Sequence, residues 1–214
     1  MMPIRNRFVA LAIFGALLFA GAPLGAADAP IARIPSVSDA STDPTVVALF
    51  ADIRARGGKP LNLQLVTGNA PKIGKAMLGL AYSLRFDATT PRPVRELAIL
   101  RTAQMMDAPY ELAQHTKLAL ACGITQAQID GLKSWQRSGL FDDRQRALLA
   151  YVEAVVRGGN VDDATFATLQ RYFDTHEITE LTITTSAYDS TALFTKALRV
   201  APEDDGRTSV QGSC

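Results

Sequence analysis

The sequence has few of the residues that bind metals or build disulfide frameworks. It contains two cysteines, Cys122 and Cys214, and two histidines, His115 and His176. They form no CxxC pair and no His- or Cys-rich cluster, so their number excludes the usual kinds of zinc site. We therefore expect no metal and no other cofactor. Cys122 lies in a helical stretch and is expected to be a buried thiol, while its pairing with Cys214 stays an open alternative.

The chain also lacks an excess of charge of either sign. It has 22 Lys and Arg residues against 21 Asp and Glu residues, which gives a formal net charge of +1. Proteins that bind nucleic acids or membrane surfaces through charge usually have a marked basic excess. The balance therefore gives no reason to expect nucleic acid or a membrane surface as a partner, and we expect a small-molecule substrate.

A long apolar run lies at the N-terminus. Residues 8–20 are apolar or glycine, they follow the basic residues Arg5 and Arg7, and small residues precede Asp28. The run is shorter than the roughly 20 residues of a membrane-spanning helix. This arrangement is typical of a secretory signal peptide, which we predict over residues 1–27. The mature protein is then expected in the periplasm or outside the cell, with no membrane anchor.

Beyond residue 27, the pattern predicts one helical domain between two loosely ordered segments. Residues 28–44 mix Ala, Pro, Ser and Asp without periodicity, which predicts a linker. Residues 45–200 have apolar residues at helical spacing, which predicts a single-domain, all-α orthogonal bundle of about seven helices. The polar residues 201–214 are predicted to be a disordered tail.

Two short segments of the predicted domain are ambiguous. Apolar residues alternate over residues 61–66, which predicts a brief extended piece or turn. Residues 178–187 are rich in Thr and Ile, which favours a strand by propensity. Because apolar residues continue at helical spacing from Ile178 to Phe194, we predict a long helix there instead.

Glu96 and His115 are the strongest candidates for catalytic residues. Each has apolar residues three, four and seven positions later, so each lies on an apolar helix face. On one straight helix the 19 intervening positions would separate them by nearly 30 Å, at about 1.5 Å per residue. Asp107 and Pro109 interrupt the helical pattern, and a hairpin folded there would bring both side chains into one cleft.

Glu111 and Tyr110 complete the predicted site. Glu111 lies one helical turn before His115, and two carboxylates around an imidazole in apolar surroundings are suited to proton transfer. Tyr110 could donate its phenolic hydroxyl to a substrate, although an aromatic residue near a helix start more often serves packing. The alternative for Glu96 is a salt bridge with Arg92 in the first helical turn. The alternative for His115 is a structural role, as a core histidine whose ring nitrogens form hydrogen bonds within the protein.

Three segments of the sequence resemble the carboxymuconolactone decarboxylase and alkylhydroperoxidase D-like proteins. They are "RELAILRTAQ" from Arg95, "YELAQH" from Tyr110 and "FDDRQRALLAYVEAV" from Phe141. The resemblance extends over residues 69–200, and its specific part is the spacing from Glu96 to His115. It implies an all-α fold built around a helical hairpin and a homo-oligomer, usually a trimer or hexamer.

The resemblance also separates two branches of that family. The peroxidase branch has a CxxC pair between the glutamate and the histidine, and in this sequence those cysteine positions are Ala108 and Glu111. Thiol-based peroxide reduction by that route is therefore excluded, since neither residue can form a sulfenate or a disulfide. The Tyr110-Glu111 and His115 pattern resembles the decarboxylase branch, although Leu112 stands where that branch often has Trp.

These observations favour an exported, cofactor-free enzyme with acid–base chemistry of the decarboxylase or lyase type. Its substrate would be a small carboxylic acid or lactone. His115 would be the proton donor, Glu96 its orienting partner, and Glu111 and Tyr110 would place the substrate. The alternatives are peroxidase-like redox activity through Cys122 or Cys214, and a non-catalytic oligomeric binding module.

Overall fold

The computed structural model describes residues 32–207 and residue 214, so the predicted signal peptide lies outside the described residues. Within the described part, the chain forms nine α-helices and one 3-10 helix and has no strand. The all-α prediction is confirmed, with more helices than the seven expected. The helices are α1 Pro44–Ala55, α2 Asn62–Thr67, α3 Pro71–Phe86, α4 Arg92–Met105, α5 Pro109–Ala121, α6 Gln126–Gly131, the 3-10 helix Leu132–Arg137, α7 Asp143–Val156, α8 Asp163–Leu169 and α9 Thr175–Leu198.

The starts of several helices are set by short sequence motifs. Asp142, Thr125 and Asp174 each cap a helix, accepting a hydrogen bond from the backbone N–H three residues later. In each case a Gln or Glu at that later position bonds back to the capping residue, which completes a capping box. The box at Asp174 begins α9, which runs through the Thr- and Ile-rich segment, so the prediction of a long helix is confirmed there.

The main hydrophobic core lies between α4, α7 and α9, with α6 and α8 closing its ends. Leu97, Leu100, Leu148, Leu149 and Leu181 are almost fully enclosed in this core. A second apolar cluster joins α1 to α3. The space between the two clusters is bordered by α2, α3, α5 and α9, and it contains the candidate site.

The extended piece predicted over residues 61–66 is wrong. The segment forms the helix α2, in which the backbone N–H of Leu61 donates to the Gln64 side chain at 2.7 Å. Val66 is buried, and Leu61 and Leu63 line a cavity. Leu65 packs against the α1–α3 cluster and Val66 against Tyr110 and Val200, so contacts with two separate clusters replace the alternation expected of a half-exposed strand.

The C-terminal segment also differs from the disordered tail that the sequence predicts. Residues 201–207 lie against α2 and α5, and Glu203 is buried. Cys214 forms a disulfide with Cys122, which lies at the C-terminal end of α5, so Cys122 is not the free thiol expected. Contacts with residues about 90 to 140 positions earlier hold this segment, and local composition contains no signal for such contacts.

None of the helices formed by the described residues is both long enough and apolar enough to span a membrane.

Candidate functional site

The α4–α5 hairpin brings Glu96 and His115 together. Helix α4 ends at Met105, Asp107 adopts a left-handed conformation with φ of 49°, and Pro109 occupies the first position of α5. Proline is tolerated there because the first N–H groups of a helix have no partner within the helix. The chain reverses at this point, and Glu96 Oε2 lies 2.8 Å from His115 Nδ1.

Glu96 is fully enclosed and has two partners. Its Oε1 accepts a hydrogen bond from Arg92 Nε at 2.5 Å, and its Oε2 faces His115 Nδ1. Burial acts to raise the pKa of Glu96, but the neighbouring His115 and Arg92 outweigh burial and hold this pKa below its ordinary value. The carboxylate is therefore ionised at neutral pH and can only accept, so His115 Nδ1 donates the proton of this bond.

This bond fixes the orientation of the His115 ring. Because Nδ1 is engaged with Glu96, the other nitrogen, Nε2, remains for chemistry, and it lies 3.8 Å from Glu111 Oε2. The Tyr188 ring contacts the imidazole edge to face, with 4.7 Å between ring centroids. A carboxylate on one ring nitrogen and an open second nitrogen is the arrangement that general acid–base catalysis uses.

The surroundings of Glu111 raise its pKa and so favour the neutral carboxyl group. Burial is the largest cause, and the nearby Glu203 carboxylate adds to it, while His115 acts in the opposite direction. Together they raise the pKa of Glu111 from 4.5 to about 7. Glu111 Oε1 is buried and has no hydrogen-bond partner among the described residues. This group can therefore hold and release a proton near neutral pH.

Glu111 and His115 border a cavity of about 200 Å³ between α2, α3, α5 and α9. Its walls are mostly apolar and are formed by leucines, Met77 and Ala81. Its polar groups include the side chains of Tyr110, Glu111, His115, Arg85 and Tyr188. An apolar cavity with a few convergent polar groups is the usual form of a small-molecule site.

Sequence reasoning did not identify Arg85 or Tyr188 as site residues. Arg85 lies near the end of α3 and Tyr188 near the middle of α9, so neither is close to the hairpin in sequence. Burial lowers the pKa of Arg85 and raises the pKa of Tyr188. No motif marks these two residues, since only the folded arrangement of α3, α5 and α9 brings them to the same cavity as His115.

The structure places Tyr110 at the cavity wall, but its hydroxyl is already engaged. Tyr110 is buried, and its hydroxyl donates to Glu203 Oε1 at 3.1 Å. The backbone N–H of Leu63 donates to the same hydroxyl at 3.4 Å. The prediction that Tyr110 donates to a substrate therefore needs revision, because this proton is already given to Glu203. Sequence reasoning missed Glu203, which belongs to the segment predicted to be disordered.

The positions that would hold a redox pair contain no sulfur. Ala108 is buried at the start of α5, and Glu111 Oε2 lies 3.8 Å from His115 Nε2. The described residues include no free cysteine, because Cys122 is bonded to Cys214. Within the same residues, no group of three His, Cys, Asp or Glu side chains could hold a metal ion.

Replacing Glu111 by Gln is expected to change how the stability of the protein depends on pH. A carboxyl group whose pKa is higher in the folded state stabilises the fold below its ordinary pKa, and this contribution is lost as the pH rises through the folded value. Between pH 4.5 and pH 7, the free energy of unfolding of the wild type should therefore fall by about 3 kcal/mol relative to that of Glu111→Gln. Urea unfolding across this range measures the difference. A constant difference between the two proteins would contradict the raised pKa.

Comparison with known proteins gives one family match and one curated relative. Residues 71–154 match the model of the carboxymuconolactone decarboxylase family, and this segment contains the whole α4–α5 hairpin. The uncharacterized protein YnjA of Escherichia coli (strain K12) is 32% identical over 109 residues. That match covers 50% of this chain and 59% of YnjA, so the chain spans less than two thirds of the relative.

Solved structures show the same fold at low sequence identity. An uncharacterized peroxidase-related protein from Ralstonia eutropha JMP134, described as an alkylhydroperoxidase AhpD core, superposes with a TM-score of 0.72 at 18% identity. That match covers 83% of this chain and 95% of the other. The debrominase Bmp8 superposes with a TM-score of 0.65 at 17% identity, covering 82% and 95% of the two chains.

Proposed function

We propose that this chain, whose residues 71–154 match the model of the carboxymuconolactone decarboxylase family, catalyses proton transfer in a decarboxylase- or lyase-type reaction. The observation that supports this most is the 2.8 Å bond between Glu96 and His115 Nδ1, which leaves Nε2 near Glu111 at the cavity. The substrate class is a small carboxylic acid or lactone. The reaction uses no cofactor.

The proposed reaction begins with loss of CO₂ from a substrate whose carbonyl group can take up the electrons of the broken bond. This step leaves an enolate, which needs a positive neighbour and then a proton on carbon. The Arg85 guanidinium lines the same cavity and supplies the positive neighbour. An apolar wall strengthens this attraction, because little water competes for the enolate oxygen.

His115 delivers the proton from Nε2 to the substrate carbon. Glu96 stabilises the imidazolium form that precedes this step and keeps the ring in one orientation. Glu111 then returns a proton to Nε2, since its carboxyl group is half protonated near pH 7. The three groups thus form one proton path, in which Glu111 is a donor as well as a residue that contacts the substrate.

A panel of small substrates tests this proposal. We expect wild-type protein to release CO₂ from at least one 3-oxo acid or carboxylated lactone, and to exchange the acidic C–H protons of the product with solvent deuterium. Both are measured by NMR in the absence of added metal or cofactor. Glu111→Gln is expected to lower the rate of both reactions. No turnover and no exchange across the panel would contradict the proposal.

The two alternative functions have less support from the site. Peroxidase-like activity needs a reactive thiol, and Cys122 and Cys214 are bonded to each other at the far end of α5 from the hairpin turn. A non-catalytic module would leave Glu96 paired with arginine alone beside a collapsed cleft. Glu96 instead contacts both Arg92 and His115 beside an open cavity. Export and a homo-oligomeric state stay predictions.

A further inference from the structure

Glu203 is a buried carboxylate that reaches the site from the C-terminal segment. Its Oε1 accepts hydrogen bonds from the backbone N–H of Asn62 at 2.8 Å and from the Tyr110 hydroxyl at 3.1 Å. Its Oε2 accepts from Gln114 Nε2. The side chain therefore joins three elements, namely the tail, α2 and α5.

The environment of Glu203 is unusual for a buried acid. No salt bridge of residues 32–207 includes Glu203, and its three donors are uncharged. A buried charge without a counter-ion is costly, even though several hydrogen bonds offset part of the cost. An apolar residue would fill this buried position at a lower cost in free energy. The placement therefore points to a role in the neighbouring site.

The partners of Glu203 on α5 lie next to the proton-transfer residues. Tyr110 precedes Glu111 in the chain, and Gln114 precedes His115. All four side chains are buried on the face of α5 that lines the cavity. By holding Tyr110 and Gln114, Glu203 fixes the row of α5 side chains that lies next to the row formed by Glu111 and His115.

The charged and titratable groups around Glu111 come from every neighbouring element. Helix α5 contributes His115 and Tyr110, and α9 contributes Tyr188. Helix α3 contributes Arg85 and Tyr82, while Glu96 and Arg92 of α4 act through the His115 ring. The C-terminal segment adds Glu203, a carboxylate that has no salt bridge within residues 32–207. Its charge opposes the ionisation of Glu111.

We propose that Glu203 is a positioning residue that keeps Glu111 in its proton-donating form near neutral pH and holds the α5 face in place. The proposal rests on the proton-transfer function proposed above. The tail that contains Glu203 is attached to α5 at three points besides this side chain. Gln114 donates to the carbonyl oxygen of Arg207, Lys117 donates to that of Gly206, and Cys214 is bonded to Cys122. These attachments keep the carboxylate at the site.

The test follows the titration of Glu111 directly by NMR. The chain has six glutamates, so protein labelled with ¹³C at the glutamate carboxyl gives six signals, and Glu111→Gln assigns the one that belongs to Glu111. Replacing Glu203 by Gln keeps the size of the side chain and removes its charge. We expect the midpoint of the Glu111 titration to fall by about one pH unit. Thermal unfolding confirms that the variant is folded.

Asp204→Asn is the matched control. It removes the same charge one residue further along the tail, from a side chain that is exposed to solvent. We expect the Glu111 titration to stay at its wild-type midpoint in this variant, since solvent screens an exposed charge. An equal shift in both variants would assign the effect to net charge and overturn the proposal.

A second substitution covers the possibility that Glu203→Gln does not fold. Glu203→Ala leaves space for water to bond Tyr110 and Gln114, and the same downward shift is expected. A Glu111 midpoint that stays unchanged in the folded variant overturns the role of Glu203, and so does failure of both variants to fold. The NMR titration is carried out without substrate, so its result does not depend on the substrate panel. A negative panel overturns the proposed reaction but not the effect of Glu203 on Glu111.

Discussion

Replacing His115 by Gln is expected to lower kcat by about 10²- to 10⁴-fold on any substrate that the wild-type protein turns over. Gln can accept a hydrogen bond or donate one at the same place, but its amide cannot take up a proton and return it. The Glu96 partner and the cavity walls remain, so KM should change far less than kcat. Steady-state kinetics of CO₂ release measures both constants.

His176→Gln is the control for this substitution. His176 is the other histidine of the chain, and it lies on the exposed side of α9, where it contacts Glu180 at 2.9 Å. The same chemical change at this position should leave kcat at its wild-type value. Equal kcat values for wild type, His115→Gln and His176→Gln would show that the proton comes from another group.

Replacing Glu96 by Ala is expected to destabilise the fold by about 3–5 kcal/mol. The substitution leaves the Arg92 guanidinium buried without its carboxylate, and it removes the partner of His115 Nδ1. Both groups are buried, so water cannot easily replace the lost carboxylate. Urea unfolding at pH 7 measures the free energy of unfolding, provided that the slope with urea concentration is unchanged.

Asp39→Ala gives the matched measurement for an exposed ion pair. Asp39 pairs with Arg54 at 2.7 Å, and both side chains are exposed to solvent over a little less than half of their surface. Removing such a pair costs about 0–1 kcal/mol, since water replaces the lost contact. If Glu96→Ala lowers the free energy of unfolding as little as Asp39→Ala does, Arg92 and His115 find other partners in the variant.

The activity of the Glu96 variants separates its structural role from its catalytic role. Glu96→Gln keeps one acceptor, its amide oxygen, for either Arg92 or His115, so it should destabilise the protein less than Glu96→Ala. It removes the charge that stabilises the imidazolium, so turnover should still fall. This combination would show that Glu96 orients and supports His115 in addition to anchoring the hairpin.

The local sequence determined the helices that begin at capping boxes and the hairpin that contains the site. Asp142 with Gln145, and Asp174 with Glu177, are signals contained within four residues, so neighbouring residues alone set the helix start. Pro109 similarly interrupts the helix through its own ring and missing N–H. The pairing of Glu96 with His115 follows from this break and from their apolar faces.

Only the tertiary structure decided which distant side chains surround that pair. Arg85 and Tyr188 join the cavity because α3 and α9 border it together with α5, and the apolar residues of α2 pack into two separate clusters. Glu203 and Cys214 lie in a polar segment whose composition predicts disorder, yet Asn62, Tyr110 and Cys122 hold it in place. Helix caps and breaks depend on residues within one turn of the chain. Burial, charge and pairing at this site depend on contacts between segments that the chain brings together only when it folds.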